Sequence, residues 1–437
     1  MIKDCSRHDK HEAFLTSLPC YEISSHRERV AKLMLDLGSP EDVGLSARGL
    51  TKIDETLADF VATGEIAGVV TALARDGKVV HRSAIGLKDI AGGGPVSFDT
   101  IFRIYSMTKP VTAVAMMLLY EQGLWSPAEP IAKHLPEFSG VNGPDGAAPD
   151  HPPTMDELMT HTAGFGYAIG LSPFDDVDKA YIDAGVWDAD GLAEMSRRVA
   201  SAPLAYQPGT RWRYSLSMDL QGAIIEKLSG KSLPDFMRSR IFEPLGMVDT
   251  DFYVPAAKQN RLATLYHKYG VPELTVLEHP SFVRDARIIP KIASGGGGLF
   301  STAGDYVRFA QMLLGKGELE GIRILRPDSV ALMTTNHLSD AIMNPGVIAG
   351  MQKIGPGAGY GFNGAVFTDP VAAGVSVGLG TYQWDGAAGT WFWIDPHNRI
   401  LFVGMVQRML QDGMPRLQSL TQTLVADAMI DEFIERV

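Results

Sequence analysis

Three short stretches of the sequence hold residue types that could carry out nucleophilic chemistry. Ser106-Met107-Thr108-Lys109 is the sole S-x-x-K and opens an apolar, helix-prone run. At a helix start, positions i and i+3 share a face, so the Lys109 amine can reach the Ser106 hydroxyl. The helix N-terminus favours negative charge developing at Ser106, and burial would lower the lysine pKa and make a base of it. Read alone, these four residues are slightly better described as a capping serine and an exposed lysine. The second stretch, Gln207 to Leu216, carries Tyr214, 108 residues downstream of Ser106. A tyrosine at a loop tip can take the serine proton as a phenolate if a nearby lysine lowers its pKa. The third is Trp384-Asp385-Gly386-Ala387-Ala388-Gly389, expected to begin a strand. Its glycines would let a substrate approach the strand edge. The backbone N–H of Ala387 could then join that of Ser106 as an oxyanion hole. Core packing explains Tyr214 or Trp384 singly; the three stretches in this order point to a serine acyl-enzyme.

The elements that must hold these residues can be sketched from periodicity. Leu45 to Thr63 has helical spacing, with Leu50, Ile53, Leu57 and Val61 on one face. Ala67 to Arg75 and Lys78 to Ile85 read as strands joined by Asp76-Gly77, a hairpin signal, so the sheet starts antiparallel. Met107 to Glu121 reads as a helix, with Pro110 tolerable only in its first turn. From Ser126 to about Pro290 the chain turns to short helical pieces and loops, including helices at Asp219 to Leu228 and Pro234 to Ile241. Thr302 and Asp305 start a helix that runs to about Leu314. Strands are expected at Val371 to Leu379, Thr390 to Ile394 and Ile400 to Gln407, and a last helix at Arg416 to Arg436. The sum is an α+β fold, an antiparallel sheet flanked by helices with an all-helical domain inserted. The expected divisions are an N-terminal extension over 1–39, a discontinuous α/β domain over 40–125 and 288–437, and a helical domain over 126–287.

Several other motifs lack the context their chemistry needs. Gly374-Val375-Ser376-Val377-Gly378 matches G-x-S-x-G, but the flanks read as strand rather than a strand-to-helix elbow. Gly359 to Gly364 matches G-x-G-x-x-G outside any βαβ unit, and Gly295 to Gly298 lacks the Gly-Lys-Ser/Thr of a phosphate loop. His161 sits at an expected helix end and reads as structural. The 11 histidines are scattered without H-E-x-x-H or a Cys/His cluster, so neither a metal nor another cofactor is expected.

Composition narrows the partners. The 437 residues are 45% hydrophobic and 21% charged, an ordinary globular balance, with a net charge of −12 and no basic block. Nucleic acid is therefore not an expected partner. The longest clean apolar stretch, Val111 to Tyr120, is too short to span a membrane. The only cysteines, Cys5 and Cys20, lie in the first segment, leaving neither a core disulfide nor a thiol nucleophile. The N-terminus has no apolar signal region, so the chain reads as cytoplasmic. Lys10 to Leu37 could form short helices, and Met34 could serve as an alternative start.

The chain resembles class C β-lactamase-like serine hydrolases, and most of all the family VIII carboxylesterases. The resemblance rests on Ser106 to Lys109, Leu158 to Gly164, Tyr206 to Ser215, Pro244 to Met247, Gly295 to Tyr306 and Trp384 to Gly386, and spans about residue 40 to the end. It implies an α/β domain plus a helical domain with the site at their junction. It also implies an acyl-enzyme on Ser106, with Lys109 and Tyr214 moving the proton. Two departures bear on substrate. Leu216 stands where the lactamases have an Asn that binds the substrate amide. Trp384 stands where they have a Lys that binds the substrate carboxylate. Losing that cation weakens selection for carboxylated substrates and adds an apolar wall. A small neutral ester is thus the expected substrate, bound by Trp384 and Gly386, with weak β-lactam opening allowed. The rival readings are an acyltransferase, a β-lactamase or a D-amino acid peptidase or amidase on the same scaffold, and a non-catalytic binding relative. Nothing in the sequence fixes the oligomeric state.

Overall fold

The computed structural model describes residues 37–168, 173–279, 283–343, 354–409 and 416–430. Cys5, Cys20, Met34 and almost all of the Lys10 to Leu37 segment lie outside them.

Helix α1, Ala47–Ala62, starts at Ser46, whose hydroxyl accepts from the Gly49 amide, and buries Leu50, Ile53 and Leu57. Strands β1 (Gly68–Arg75) and β2 (Lys78–Asp89) follow as an antiparallel pair. Between them Asp76 and Gly77 have φ of 52° and 76°, the left-handed geometry that a two-residue turn matching the strand twist requires. After β3 (Gly94–Pro95), a 3₁₀ turn over Tyr105–Met107 leads into helix α2, Thr108–Tyr120. Pro110 lies in its first turn, where its missing N–H costs no helical hydrogen bond. Helix α3 is Ser217–Ser229 and helix α4 is Ala303–Leu314, the latter capped by the Thr302 hydroxyl on the Asp305 amide. Strands β4 (Ala358–Tyr360), β5 (Ala365–Phe367), β6 (Tyr382–Asp385), β7 (Trp391–Asp395) and β8 (Ile400–Met405) precede helix α5, Leu417–Asp427.

The eight strands form one antiparallel sheet in the order β4-β5-β6-β7-β8-β1-β2-β3, with β1 beside β8 in register from Val70↔Met405 to Arg75↔Ile400. Alternation along the strands sorts side chains to two faces. Val69 and Leu73 join Trp391, Trp393 and Phe402 against the apolar stripes of α1 and α5. The cross-strand pair Trp393↔Phe402 stacks at 5.8 Å, an interaction worth about 0.2–1 kcal/mol. Val70, Ala72 and Ala74 turn the other way, into a larger core with α2, α4 and the middle of the chain. The described part of 126–287 contributes helices and only the two-residue strands Tyr266–His267 and Thr275–Val276. We propose that it is the inserted helical domain.

Three expectations need correction. Val371 to Leu379 is not a strand: Pro370–Ala373 is a single helical turn, capped by the Asp369 carboxylate on the Ala372 amide and ended by Gly374 at φ 68°. The V-x-V-x-L alternation there has no neighbouring strand to pair with, and Pro370 and Gly374 dictate the backbone instead. Trp384 lies near the end of β6 rather than at a strand start, so Gly386 to Gly389 form the β6–β7 turn. The expected helix over Pro234 to Ile241 is Leu233–Met237 continued by a π-helical turn over Arg238–Phe242.

Candidate active site

The three stretches meet. The Tyr214 hydroxyl donates to Ser106 Oγ at 2.6 Å, and Lys109 Nζ donates to the same oxygen at 3.1 Å. Lys109 is fully buried, at 0% exposure, yet its ammonium also donates to the Gly296 carbonyl at 2.6 Å and the Tyr167 hydroxyl at 3.3 Å. Three acceptors match the three hydrogens of an ammonium, which is what a buried cation needs. The amine also lies 4.5 Å from the centre of the Tyr214 ring.

Each part of the site is tied to a different element. The Tyr306 hydroxyl on α4 donates to the Met107 carbonyl at 2.8 Å, Thr112 to the Gly295 carbonyl at 2.7 Å, and the Leu299 amide to Thr108. Asn363 donates to the Lys109 carbonyl and pairs with Gln221 of α3. Tyr105, just before the nucleophile, has φ 42°, a costly conformation for a bulky residue, and these surrounding contacts hold it. The β6–β7 turn touches the nucleophile segment directly. A Cβ on Gly386 would stand 2.3 Å from the Ile104 carbonyl oxygen, so only glycine allows the approach. Ala387, next in the turn, is half-buried beside it.

Trp384 is placed differently from a substrate wall. It is 2% exposed and packs 5.7 Å from the Tyr214 ring. Burial pushes the Tyr214 hydroxyl well above an ordinary phenol, opposed by the hydrogen bonds to Ser106 and Trp384. A resting phenolate is therefore disfavoured, and the neutral hydroxyl donates to Ser106. Leu216 is fully buried in the main core.

Four further residues belong to the site: Tyr167 and Asp219, to which the sequence alone assigns no role, Gly296, which it places in a glycine-rich motif without a role for its carbonyl, and His161, which it reads as structural. Tyr167 and the Gly296 carbonyl bind Lys109. Asp219 accepts from Ser294 and the Gly296 amide, so it fixes the loop whose carbonyl holds the lysine. Burial raises the Asp219 carboxyl, against the Ser294 hydrogen bond and the Lys109 charge. His161 lies behind Tyr214 with ring centres 4.9 Å apart, its Nδ1 engaged by Ser215. Burial, then the Lys109 charge, push it well below the usual imidazole range, so it is neutral. Only Ser217, Asp219 and Gln221, polar residues alternating at the start of an otherwise apolar helix, signalled a buried polar cluster. Among the described residues no group of His, Cys, Asp and Glu could hold a metal.

The family model described as beta-lactamase matches residues 53–424. The chain belongs to the beta-lactamase family. Protein Rv1367c of Mycobacterium tuberculosis (strain ATCC 25618 / H37Rv) is 36% identical over 365 residues, 80% of this chain and 88% of its own length. Esterase EstB of Burkholderia gladioli is 34% identical over 370 residues, 81% of this chain and 89% of its own. The solved structure of EstCE1, a hydrolase with promiscuous acyltransferase activity, matches with a TM-score of 0.75 at 28% identity, covering 87% of this chain and 99% of its own. The fold is thus that of β-lactamase-like and penicillin-binding-protein-like proteins, and esterases on this scaffold support a serine hydrolase. No helix among the described residues is long and apolar enough to cross a membrane.

Proposed function

We propose that this chain is a carboxylesterase, family VIII-like, that hydrolyses small esters through an acyl-enzyme on Ser106. The observation that carries the reading is the position of Ser106 Oγ, held by both Tyr214 and Lys109 at the mouth of a buried helix. A serine that is merely a helix cap has no use for a fully buried lysine on its oxygen.

Burial of Tyr214 changes how the proton moves. The reactive enzyme carries one proton fewer than the resting one, shared by Lys109 and Tyr214 as a coupled pair. With the vacancy on the phenol, Tyr214 takes the Ser106 proton as Oγ attacks the ester carbonyl. Trp384, packed against Tyr214, favours its anionic form. The N–H groups of Ser106 and Ala387 take the oxyanion. The departing alcohol receives its proton back through Tyr214, and water then releases the acid. A bound alcohol in place of water would make the same intermediate an acyl donor, a second reading supported by the promiscuous acyltransferase activity of EstCE1.

Wild-type enzyme mixed with p-nitrophenyl butyrate should give a burst of nitrophenol equal to the enzyme concentration. Ser106→Ala should give none, and retained turnover in that variant would overturn the assignment.

A further inference from the structure

Where the Gly295 to Gly298 loop ends, two residues beyond the carbonyl that holds Lys109, lies a second cationic cluster that the ester chemistry does not use. Arg103 and Arg284, remote in sequence, both lie against the Phe300 ring, with guanidinium carbons 5.5 and 5.1 Å from its centre. Each makes one hydrogen bond to a carbonyl: Arg103 to Ala263 at 3.3 Å, Arg284 to Gly298 at 2.9 Å. Among the described residues Arg103 Nε and one Arg284 terminal nitrogen are buried with no hydrogen-bond partner. Among the described residues neither arginine has a carboxylate within ion-pair distance. The nearby Asp285 is engaged by Arg287 at 2.7 Å. Two like charges half-buried side by side, each with a shielded and unmet donor, cost stability unless something completes them.

Between them is a cavity of about 30 Å³, lined by Arg103, Tyr105, Arg284, Phe300 and the backbone of Gly297 and Gly298. That space holds about two water-sized atoms, the size of the two oxygens of a carboxylate. Arginine presents a planar fork suited to such a group. Burial, then the Arg103 charge, lower Arg284 to about 10, and burial raises Tyr105 to about 12. Both arginines thus stay cationic and the phenol neutral at pH 7, as an anion requires. The cavity adjoins the chemistry on two sides: Tyr105 precedes Ser106, and Gly297 follows the Gly296 carbonyl that binds Lys109.

We propose that the Arg103–Arg284 cavity binds a carboxylate carried by the ester, so that the substrate is the half-ester of a dicarboxylic acid or the ester of a hydroxy acid. The proposal rests on the esterase reading. It answers the loss of a cation at Trp384 with a cation pair elsewhere: the Trp384 side of the site stays uncharged and the anion is recognised where the glycine loop ends. On a chain of net charge −12, such recognition must be local rather than a long-range field.

The test compares kcat/KM for two matched pairs. Mono-p-nitrophenyl adipate against p-nitrophenyl heptanoate puts the carboxylate on the acyl side. 6-Acetoxyhexanoate against heptyl acetate puts it on the alcohol side. One of the acids should exceed its neutral partner tenfold or more, and the pair that does so identifies the source. In Arg284→Gln that ratio should fall towards one, and Arg284→Lys should keep part of it. Ratios at or below one for both pairs in the wild type, or a ratio unchanged in Arg284→Gln, would overturn the proposal. Loss of turnover in Ser106→Ala reports separately on the esterase reading. If no ester is turned over, calorimetric binding of adipate to the full chain decides: binding weakened tenfold in Arg284→Gln supports the cavity, and no binding to the wild type removes it.

Discussion

Lys109, fully buried, and the half-buried Arg103–Arg284 pair are cations that meet one glycine loop at different residues, and they are treated in opposite ways. Every hydrogen of the Lys109 ammonium has an acceptor within the chain, and Asp219 braces the loop that supplies one of them. The arginines share an aromatic ring, have no counter-ion among the described residues and leave two donors unmet. A cation whose donors are all met is set up to act on its neighbours. One with unmet donors is set up to receive something from outside.

The sharpest way to break this contrast is to remove the catalytic side. Tyr214→Phe should lower kcat/KM by about 10²–10⁴-fold, and Lys109→Met by roughly 10³-fold, on charged and neutral esters alike. A loss confined to carboxylated esters would mean that Lys109 is a binding cation after all. Gly386→Ala forces the Ile104 carbonyl aside and should cost about 10²-fold, since a displacement of about 1 Å can do so. Stopped-flow acylation rates with an unchanged melting temperature would locate the loss in the site. Trp384→Phe removes the indole N–H, the donor that favours the Tyr214 phenolate, and should cost about tenfold. The sign on pH follows from that donor. It favours the phenolate and so lowers the Tyr214 pKa, and without it the alkaline rise of kcat/KM should move to higher pH. A profile that stays in place would return Trp384 to packing alone. The smallest effect belongs to the arginines: acetate, compared with chloride at equal ionic strength, should raise the melting temperature by about 1–2 °C. Arg284→Gln should lose that rise.

The sequence was legible wherever a local rule carried the structure. Asp76-Gly77 fixed a turn, Thr302 started a helix, and the Ser106, Lys109 and Tyr214 stretches named side chains that do converge. It was silent where tertiary contact decides. Tyr167 has no periodic or motif signal, and the glycine-rich motif around Gly296 does not tell what its carbonyl holds, because what makes both matter is a lysine far away in the chain. Trp384 was readable as a large apolar residue, but whether its face meets solvent or Tyr214 depends on strand β6 ending where it does. Val371 to Leu379 misled because alternation is a strand signal only if a partner strand is in reach. Arg103 and Arg284 stood out in neither composition nor spacing, as two arginines become a pair only when Phe300 brings them together.

The pairing of β1 with β8 has a consequence for how the molecule comes into being. Val70 cannot meet Met405 until nearly the whole chain has left the ribosome. Until then β1 and β2 are a lone hairpin, marginally stable at best in water. The nucleophile at Ser106 is synthesised early but has no completed site until the Gly386 turn and β8 arrive. Such long-range closure makes for slow folding with an exposed apolar edge. Synthesis of this chain should therefore depend on holding that edge apart from other chains, and no fragment ending before β8 should show esterase activity.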